Sequence, residues 1–245
     1  MSGARGKIAL MPTCLVDLVR PEAGVAAVRV LRRAGFEVTF PEGQTCCGQP
    51  AWNSGFPDDA RRVASTTLDA LAASEGPIVV LSGSCAATML HAWPELFAGD
   101  PRAAAVLERV VEFGALLAPL AAASPPEASA GRPVAFHCSC HQRRGLRDTT
   151  SGTTLISSLP AVELVEQADA DACCGFGGTF AIKFPGVSTA MGRDKVNAVH
   201  EAGAGELVSG DLGCLMHLAG VAAENDVALT TTTLPEILER EGWTP

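Results

Sequence analysis

The sequence predicts an α/β protein built from two related halves, each with a mostly parallel sheet. Three observations predict it. Short apolar runs alternate with stretches of helical periodicity along the whole chain. The cysteines recur at matched distances in the first and second halves. Each of those cysteines falls just after a predicted strand or at a predicted helix start, the edge where open parallel sheets bind ligands.

In chain order, Lys7-Ile-Ala-Leu-Met-Pro12 reads as a short buried strand leading to Cys14. Glu22 to Ala34 places Val25, Val28 and Leu31 at helical spacing and stops at Gly35. Phe36-Glu-Val-Thr-Phe40 alternates as a strand does and runs into Cys46-Cys47-Gly48. Gly48 can adopt backbone angles closed to other residues, so the chain can turn tightly beneath a bulky group. Asp58 to Ala73 is a predicted helix, and Pro77-Ile-Val-Val-Leu81 a strand covered on both faces. Ser82-Gly-Ser-Cys85 turns into a helix through Ala92, whose positive N-terminal end favours a thiolate at Cys85. Arg102 to Ala122 reads as one more helix.

Ser124 to Pro133, rich in Pro, Ser and Gly, reads as the linker. The halves are thus expected at residues 1–124 and 134–245, with 125–133 between them. The order then repeats. Val134 to Cys138 is a strand leading to Cys140, Thr150 to Leu159 a helix, and Val162 to Val165 a strand before Cys173-Cys174-Gly175. Val187 to Ala202 is a helix, Glu206 to Ser209 a strand, and a helix starts near Cys214. Val227 to Thr230 is the last strand and Leu234 to Glu239 the closing helix. Tandem Rossmann-like halves related by internal duplication follow from this pattern.

The cysteine spacing supports the duplication directly. Cys14, Cys46, Cys47 and Cys85 correspond to Cys140, Cys173, Cys174 and Cys214 at offsets of 126, 127, 127 and 129 residues. Cys138 has no counterpart and reads as a packed thiol. Four thiols per half suit an iron–sulfur group or structural zinc. Zinc sites favour Cys-x2-Cys knuckles, and the chain has none. Disulfides fit poorly, because adjacent cysteines do not readily bridge each other. Long spacing around a Cys-Cys pair favours an iron–sulfur group held between loops, with zinc and free redox thiols as alternatives.

Composition bounds the rest. The chain has 245 residues, 47% hydrophobic and 18% charged, which is globular. Aromatics are 5% and tyrosine is absent, so the core must be built from Ala, Val and Leu. A net charge of −9 without a basic run argues against nucleic acid as a partner. Arg143, Arg144 and Arg147 form a small basic cluster, read as a solvated helix face, with an anionic partner as the alternative. No apolar run approaches the ~20 residues of a membrane span. The expectation is a cytoplasmic chain, where thiols stay reduced.

Pro12 to Gly24 and Pro41 to Gly55 resemble the cysteine-rich CCG family, especially its lactate-utilisation protein A branch. Ser82 to Met89, Cys140 to Arg144, Cys173 to Phe180 and Gly213 to His217 extend the resemblance over nearly the whole chain. The cysteine-rich chain of heterodisulfide reductase and the iron–sulfur subunit of glycolate oxidase are more distantly similar. The resemblance implies an iron–sulfur protein, [4Fe–4S] in type with one or two groups per chain. It implies electron transfer with two partner subunits that oxidise L-lactate to pyruvate, as a non-catalytic or co-catalytic redox subunit. Peripheral membrane association is compatible with it. The ligands it implies are Cys14, Cys46, Cys47 and Cys85, and Cys140, Cys173, Cys174 and Cys214. The reductase pattern ends each half in Cys-x-x-Cys, where this chain has Thr88 and His217. That departure argues against a five-thiolate site. A thiol–disulfide reductase and a zinc-stabilised scaffold are the alternative functions.

Other residues have plainer readings. His141 and His217 lie near ligand cysteines and read as satisfying local backbone, with a donor to a site sulfur, or an actual ligand at the Thr88 and His217 positions, as the alternatives. His137 reads as packing; His91 and His200 have no site nearby in sequence. Gly175-Phe-Gly-Gly178 lacks the lysine of a phosphate loop and reads as a tight turn. Asp211 and Glu42 read as cap and loop residues.

Overall fold

The structure is a computed structural model that describes residues 5–121 and 131–245. The expected linker residues 125–130 lie outside the described residues.

The first half runs β1 (Lys7–Met11), α1 (Cys14–Val19), α2 (Pro21–Arg33), β2 (Glu37–Thr39), α3 (Gln49–Asn53), α4 (Pro57–Ala72), β3 (Ile78–Val80), α5 (Gly83–Leu96), α6 (Pro101–Leu107), β4 (Val110–Glu112) and α7 (Phe113–Ala121). The second runs β5 (Arg132–His137), a π-helical turn at His141–Gly145, α8 (Ser151–Ser157), β6 (Val162–Val165), α9 (Thr179–Lys183), α10 (Pro185–Glu201), β7 (Glu206–Ser209), α11 (Leu212–Glu224), β8 (Thr230–Thr233) and α12 (Leu234–Arg240).

Each half holds a four-stranded parallel sheet, in order β2-β1-β3-β4 and β6-β5-β7-β8. The two orders are the same topology, as a duplicated α/β fold requires. In both, the chain leaves the first strand in one direction and later returns to its other side. That reversal opens a crevice beyond the strands' C-terminal ends, between β1 and β3 and again between β5 and β7. The buried strand Ile78-Val79-Val80 has helices on both faces, which is why its sequence is continuously apolar.

Three expectations need correction. Arg102 to Ala122 is not one helix: α6 ends at Leu107, and Val110–Glu112 pairs with β3 before α7 begins. Val106, Leu107, Val110, Val111 and Phe113 sit at helical spacing, so periodicity alone hides the strand. The last strand is Thr230–Thr233 rather than Val227–Thr230, because the register with β7 pairs Glu206 with Thr230. Strand β5 starts at Arg132, two residues before the expected Val134, and pairs Arg132 with Val162.

One apolar cluster runs through both halves, joining Ile8, Leu31 and Leu117 to Leu155, Leu207 and Leu238. A second fills the opposite face of the first sheet, between α4, α5 and α6, around Leu68, Met89 and Trp93. The halves therefore share a core, and their sheet edges are held in fixed relation.

Candidate metal centre

Cys14 opens α1 directly after β1, and Cys85 sits in the first turn of α5 after β3. The Cys46-Cys47-Gly48 loop follows β2 and ends at α3. Gly48 has φ +88°, and a Cβ there would stand 2.8 Å from the Ala60 carbonyl oxygen. Only glycine lets the loop pass that close to α4. The Trp93 indole donates to the Cys47 carbonyl at 2.9 Å and fixes the loop from below. The second half repeats the device: Gly175 has φ +91°, with a Cβ position 2.5 Å from the Ser188 carbonyl oxygen.

All eight framework cysteines line one cavity of about 180 Å³ between the halves. Every one is a free thiol. The sulfurs of Cys14 and Cys46 are 3.7 Å apart, and those of Cys47 and Cys85 are 3.4 Å apart. A disulfide needs about 2.0 Å. Two thiolates on one tetrahedral ion, at the ~2.3 Å metal–sulfur distance, stand about 3.8 Å apart. Each of these two pairs thus stands at the separation of ligands rather than of a bridge.

The electrostatics repeat between halves. Hydrogen bonds from Cys14 and Cys47, then from the Gly48 and Cys47 amides, hold the Cys46 thiol down to about 3. Cys173 is held at about 2 by Cys140, Cys174 and the Gly175 amide. Donating to those thiolates pushes Cys14, Cys47, Cys140 and Cys174 well above the ordinary thiol range. Each quartet therefore shares protons around a thiolate. A bound cation replaces such protons, because thiolate is the ligand form. The donor set fits a thiolate-held metal group.

The cavity wall joins the halves. Asp211 was expected to cap its own helix; its side chain does not. Instead its Oδ1 accepts from the Ser82 hydroxyl and, at 3.1 Å, from the Ser84 amide of the other half. Its second oxygen is buried without a partner. His141 Nε2 lies 3.2 Å from Gln49 Nε2 across the same boundary, and its Nδ1 lies 3.6 Å from Cys140 Sγ.

The other singled-out residues separate cleanly. His217 Nε2 lies 3.2 Å from the Ser188 carbonyl oxygen and 3.3 Å from its hydroxyl, so its ring is engaged with α10. Thr88 donates to the Ser84 carbonyl within its own helix at 2.8 Å. The two positions at which a fifth thiolate would stand are turned to local structure. Cys138 is buried, with its thiol pushed up to about 11 by burial, and donates to the Asp148 carbonyl at 3.5 Å. It lies off the cavity wall, whereas Gly177 and Gly178 are on it. His91 bonds the Gly145 carbonyl oxygen at 2.9 Å, and Glu42 is exposed away from the site.

The histidine that sequence pattern assigns to packing lies buried behind the cavity wall, beside two of its cysteines. His137, at the end of β5, has no solvent exposure, and neither ring nitrogen meets hydrogen-bond geometry among the described residues. An unsatisfied buried polar group costs about 1–3 kcal/mol. One of its nitrogens and the sulfurs of Cys174 and Cys214 all lie within 4.8 Å of one another. The Cys214 thiol is lowered to about 7, first by Cys174 and then by this imidazole. The sequence did carry a signal: a histidine stands where the matched position of the first half is Met11.

Fold and site together define a duplicated α/β thiol protein whose two cysteine quartets face one shared cavity. The model of the cysteine-rich domain, CCG, matches it twice, over residues 8–90 and 134–219. The chain belongs to this cysteine-rich family. It is 37% identical to lactate utilization protein A of Shouchella clausii, over 94% of this chain and 98% of that protein. It is 36% identical to the protein of that name in Halalkalibacterium halodurans, over 96% and 97%. With the Bacillus pumilus protein the identity is 36%, over 95% and 98%. Among solved structures, allantoin racemase from Pseudomonas fluorescens spans 98% of this chain and 92% of its own, at TM-score 0.32 and 12% identity. That likeness is too low to bear on the site.

Proposed function

We propose that this chain is an iron–sulfur electron carrier of a lactate-utilisation system, working beside partner subunits that oxidise L-lactate to pyruvate. The observation that carries the reading is the convergence of eight free thiols, four from each half, on one cavity. The names of the relatives supply the physiological setting.

Cys14, Cys46, Cys47 and Cys85 would hold one group, and Cys140, Cys173, Cys174 and Cys214 a second, each of [4Fe–4S] type. When bound, such a group supplies one-electron carriage. The chain's own residues bind it, shield it and set its electrostatics. The Gly175 amide donates to Cys173 Sγ at 3.4 Å and the Phe176 amide to Cys174 Sγ at 3.5 Å, favouring negative sulfur. Leu15 and Phe176 stand on the cavity wall and limit water. The two halves are taken as residues 1–124 and 134–245. Among the described residues no helix is long and apolar enough to cross a membrane; we take the chain to work in the cytoplasm. The local engagement of Thr88 and His217 favours a carrier over a thiol–disulfide reductase of the five-thiolate kind.

The test is anaerobic isolation of the full chain, with iron, zinc, acid-labile sulfide and visible absorbance measured. Brown protein with iron and sulfide in equal amounts is expected. Cys46→Ser/Cys47→Ser and Cys173→Ser/Cys174→Ser should each remove one half's share. A colourless, iron-free chain refutes the reading, and stoichiometric zinc without sulfide replaces it with the scaffold.

A further inference from the structure

We propose that His137 is a metal ligand, so that the second half binds its group through sulfur and nitrogen while the first half uses sulfur alone. The inference rests on the metal-binding part of the function proposed above and adds to it a ligand outside the cysteine framework.

The register of the duplication pairs residues of the two halves one by one. The offset that maps Cys14 onto Cys140 maps Met11 onto His137, the last residues of β1 and β5. Both side chains are sealed from solvent. Met11 packs in an apolar cluster with Cys47 and Cys85 and needs no polar partner. His137 occupies the matched place beside Cys174 and Cys214 and does need one. Its ring has a lone pair and an N–H in the neutral form. Among the described residues neither nitrogen meets hydrogen-bond geometry, and the group its ring acts on is the Cys214 thiol. The other histidines near the site have partners, His217 with Ser188 and His141 with Gln49 and Cys140.

The orphan's position specifies what it lacks. One of its nitrogens and two sulfurs from separate loops are mutually within 4.8 Å. That arrangement brings one imidazole and two thiols within reach of a single ion placed among the three. Imidazole with thiolates is a donor set used by zinc and by iron in iron–sulfur groups. Strand β5 fixes the ring from behind, since its Ser209 neighbour on β7 donates to the His137 carbonyl at 2.8 Å. The ligand is therefore delivered by a rigid strand end rather than by a loop.

The experiment uses the anaerobically isolated full chain carrying 15N-histidine. For an iron–sulfur group, pulsed EPR of the reduced and oxidised protein reads nitrogen coupling. Visible redox titration of the Cys46→Ser/Cys47→Ser background reads the second site's midpoint potential. If the site holds zinc, zinc X-ray absorption reads the nitrogen directly. The expected result is the coupling, or scattering, of a directly bound imidazole, lost in His137→Met and kept in His141→Gln and His217→Gln. The potential should move in His137→Met. The labelled wild type keeps the test decisive should the variant fold poorly. A metal-loaded chain with no bonded nitrogen, or with only the weak coupling of a hydrogen-bonded one, overturns this inference and spares the proposed function. So does an unmoved potential. A chain with no metal overturns both.

Discussion

Glu112 is the carboxyl whose removal has the most calculable effect. It ends β4, is sealed from solvent, and its Oε2 accepts from the Ala115 amide at the start of α7 at 3.0 Å. Burial raises its proton affinity most, and the carboxylates of Asp148 and Asp211 add to it, so its titration point is pushed from 4.5 up to about 8. The folded chain thus keeps a proton that the unfolded chain gives up above pH 4.5. Stability must fall as pH rises through the window from about 4.5 to about 8, and level off above it. Each tenfold change in proton affinity is ~1.36 kcal/mol. Across the whole window the fall is about 5 kcal/mol as an upper bound. The isoelectric point near 5.0 makes the acid end prone to precipitation, so pH 6 to 8.5 is the practical range. Roughly 3 kcal/mol at most of the fall lies there. Glu112→Gln keeps the shape and an acceptor for Ala115 without the titration. Its urea unfolding free energy, followed anaerobically by tryptophan fluorescence, should drop less with pH than the wild type's by about that amount. Thiol titrations are common to both proteins and cancel. Parallel curves for the two proteins would refute the assignment of a proton to Glu112.

Gly48→Ala should destabilise the fold. A left-handed backbone costs a residue with Cβ ~1–2 kcal/mol, and the 2.8 Å approach to the Ala60 carbonyl adds to it. A thermal scan should show a fall of about 4 °C or more; an unchanged midpoint would mean that the loop is slack. Trp93→Phe should leave the buried Cys47 carbonyl without its 2.9 Å donor. A loss of ~1–3 kcal/mol is expected, with faster chelation of metal from the first half only. Equal lability in both halves would show that Trp93 acts through general stability instead.

The parts of the fold that are legible in sequence are those governed by local pattern. Ile78-Val79-Val80 is apolar because helices cover both its faces, and the Cys-Cys-Gly loops carry a glycine because their close approach to a helix requires it. β4 escapes because its residues continue a helical period. Only pairing with β3 distinguishes Val110–Glu112 from helix, and pairing is a long-range fact. The site divides in the same way. The eight cysteines are legible from a repeated offset. Asp211 is misread because its partners, Ser82 and Ser84, lie in the other half. His137 is missed because a strand-end histidine looks the same in sequence whether it points into packing or at two sulfurs. Comparing the copies position by position is the one sequence operation that flags it.

The contacts across the boundary bear on how the duplication works. Ser82 and Asp211 occupy matched places ahead of Cys85 and Cys214, and they bond to each other across the boundary, while Ser82 also caps its own helix through the Cys85 amide. On the outer surface Arg20 of the first half meets Glu236 of the second at 2.9 Å, and Arg29 meets Glu239 at 2.8 Å. The two sheet edges therefore close on each other, and the cavity has walls only while both halves are present. A half made alone would lose the partner groups of Asp211 or Ser82 and would open its thiols to water. The sharing also releases the copies from identity. Once each half is held by the other, one buried position behind the wall can be Met11 in the first copy and His137 in the second without either having to fold alone. A duplicated site of this kind can give its two cysteine quartets different surroundings, sulfur beside Met11 in one and beside His137 in the other.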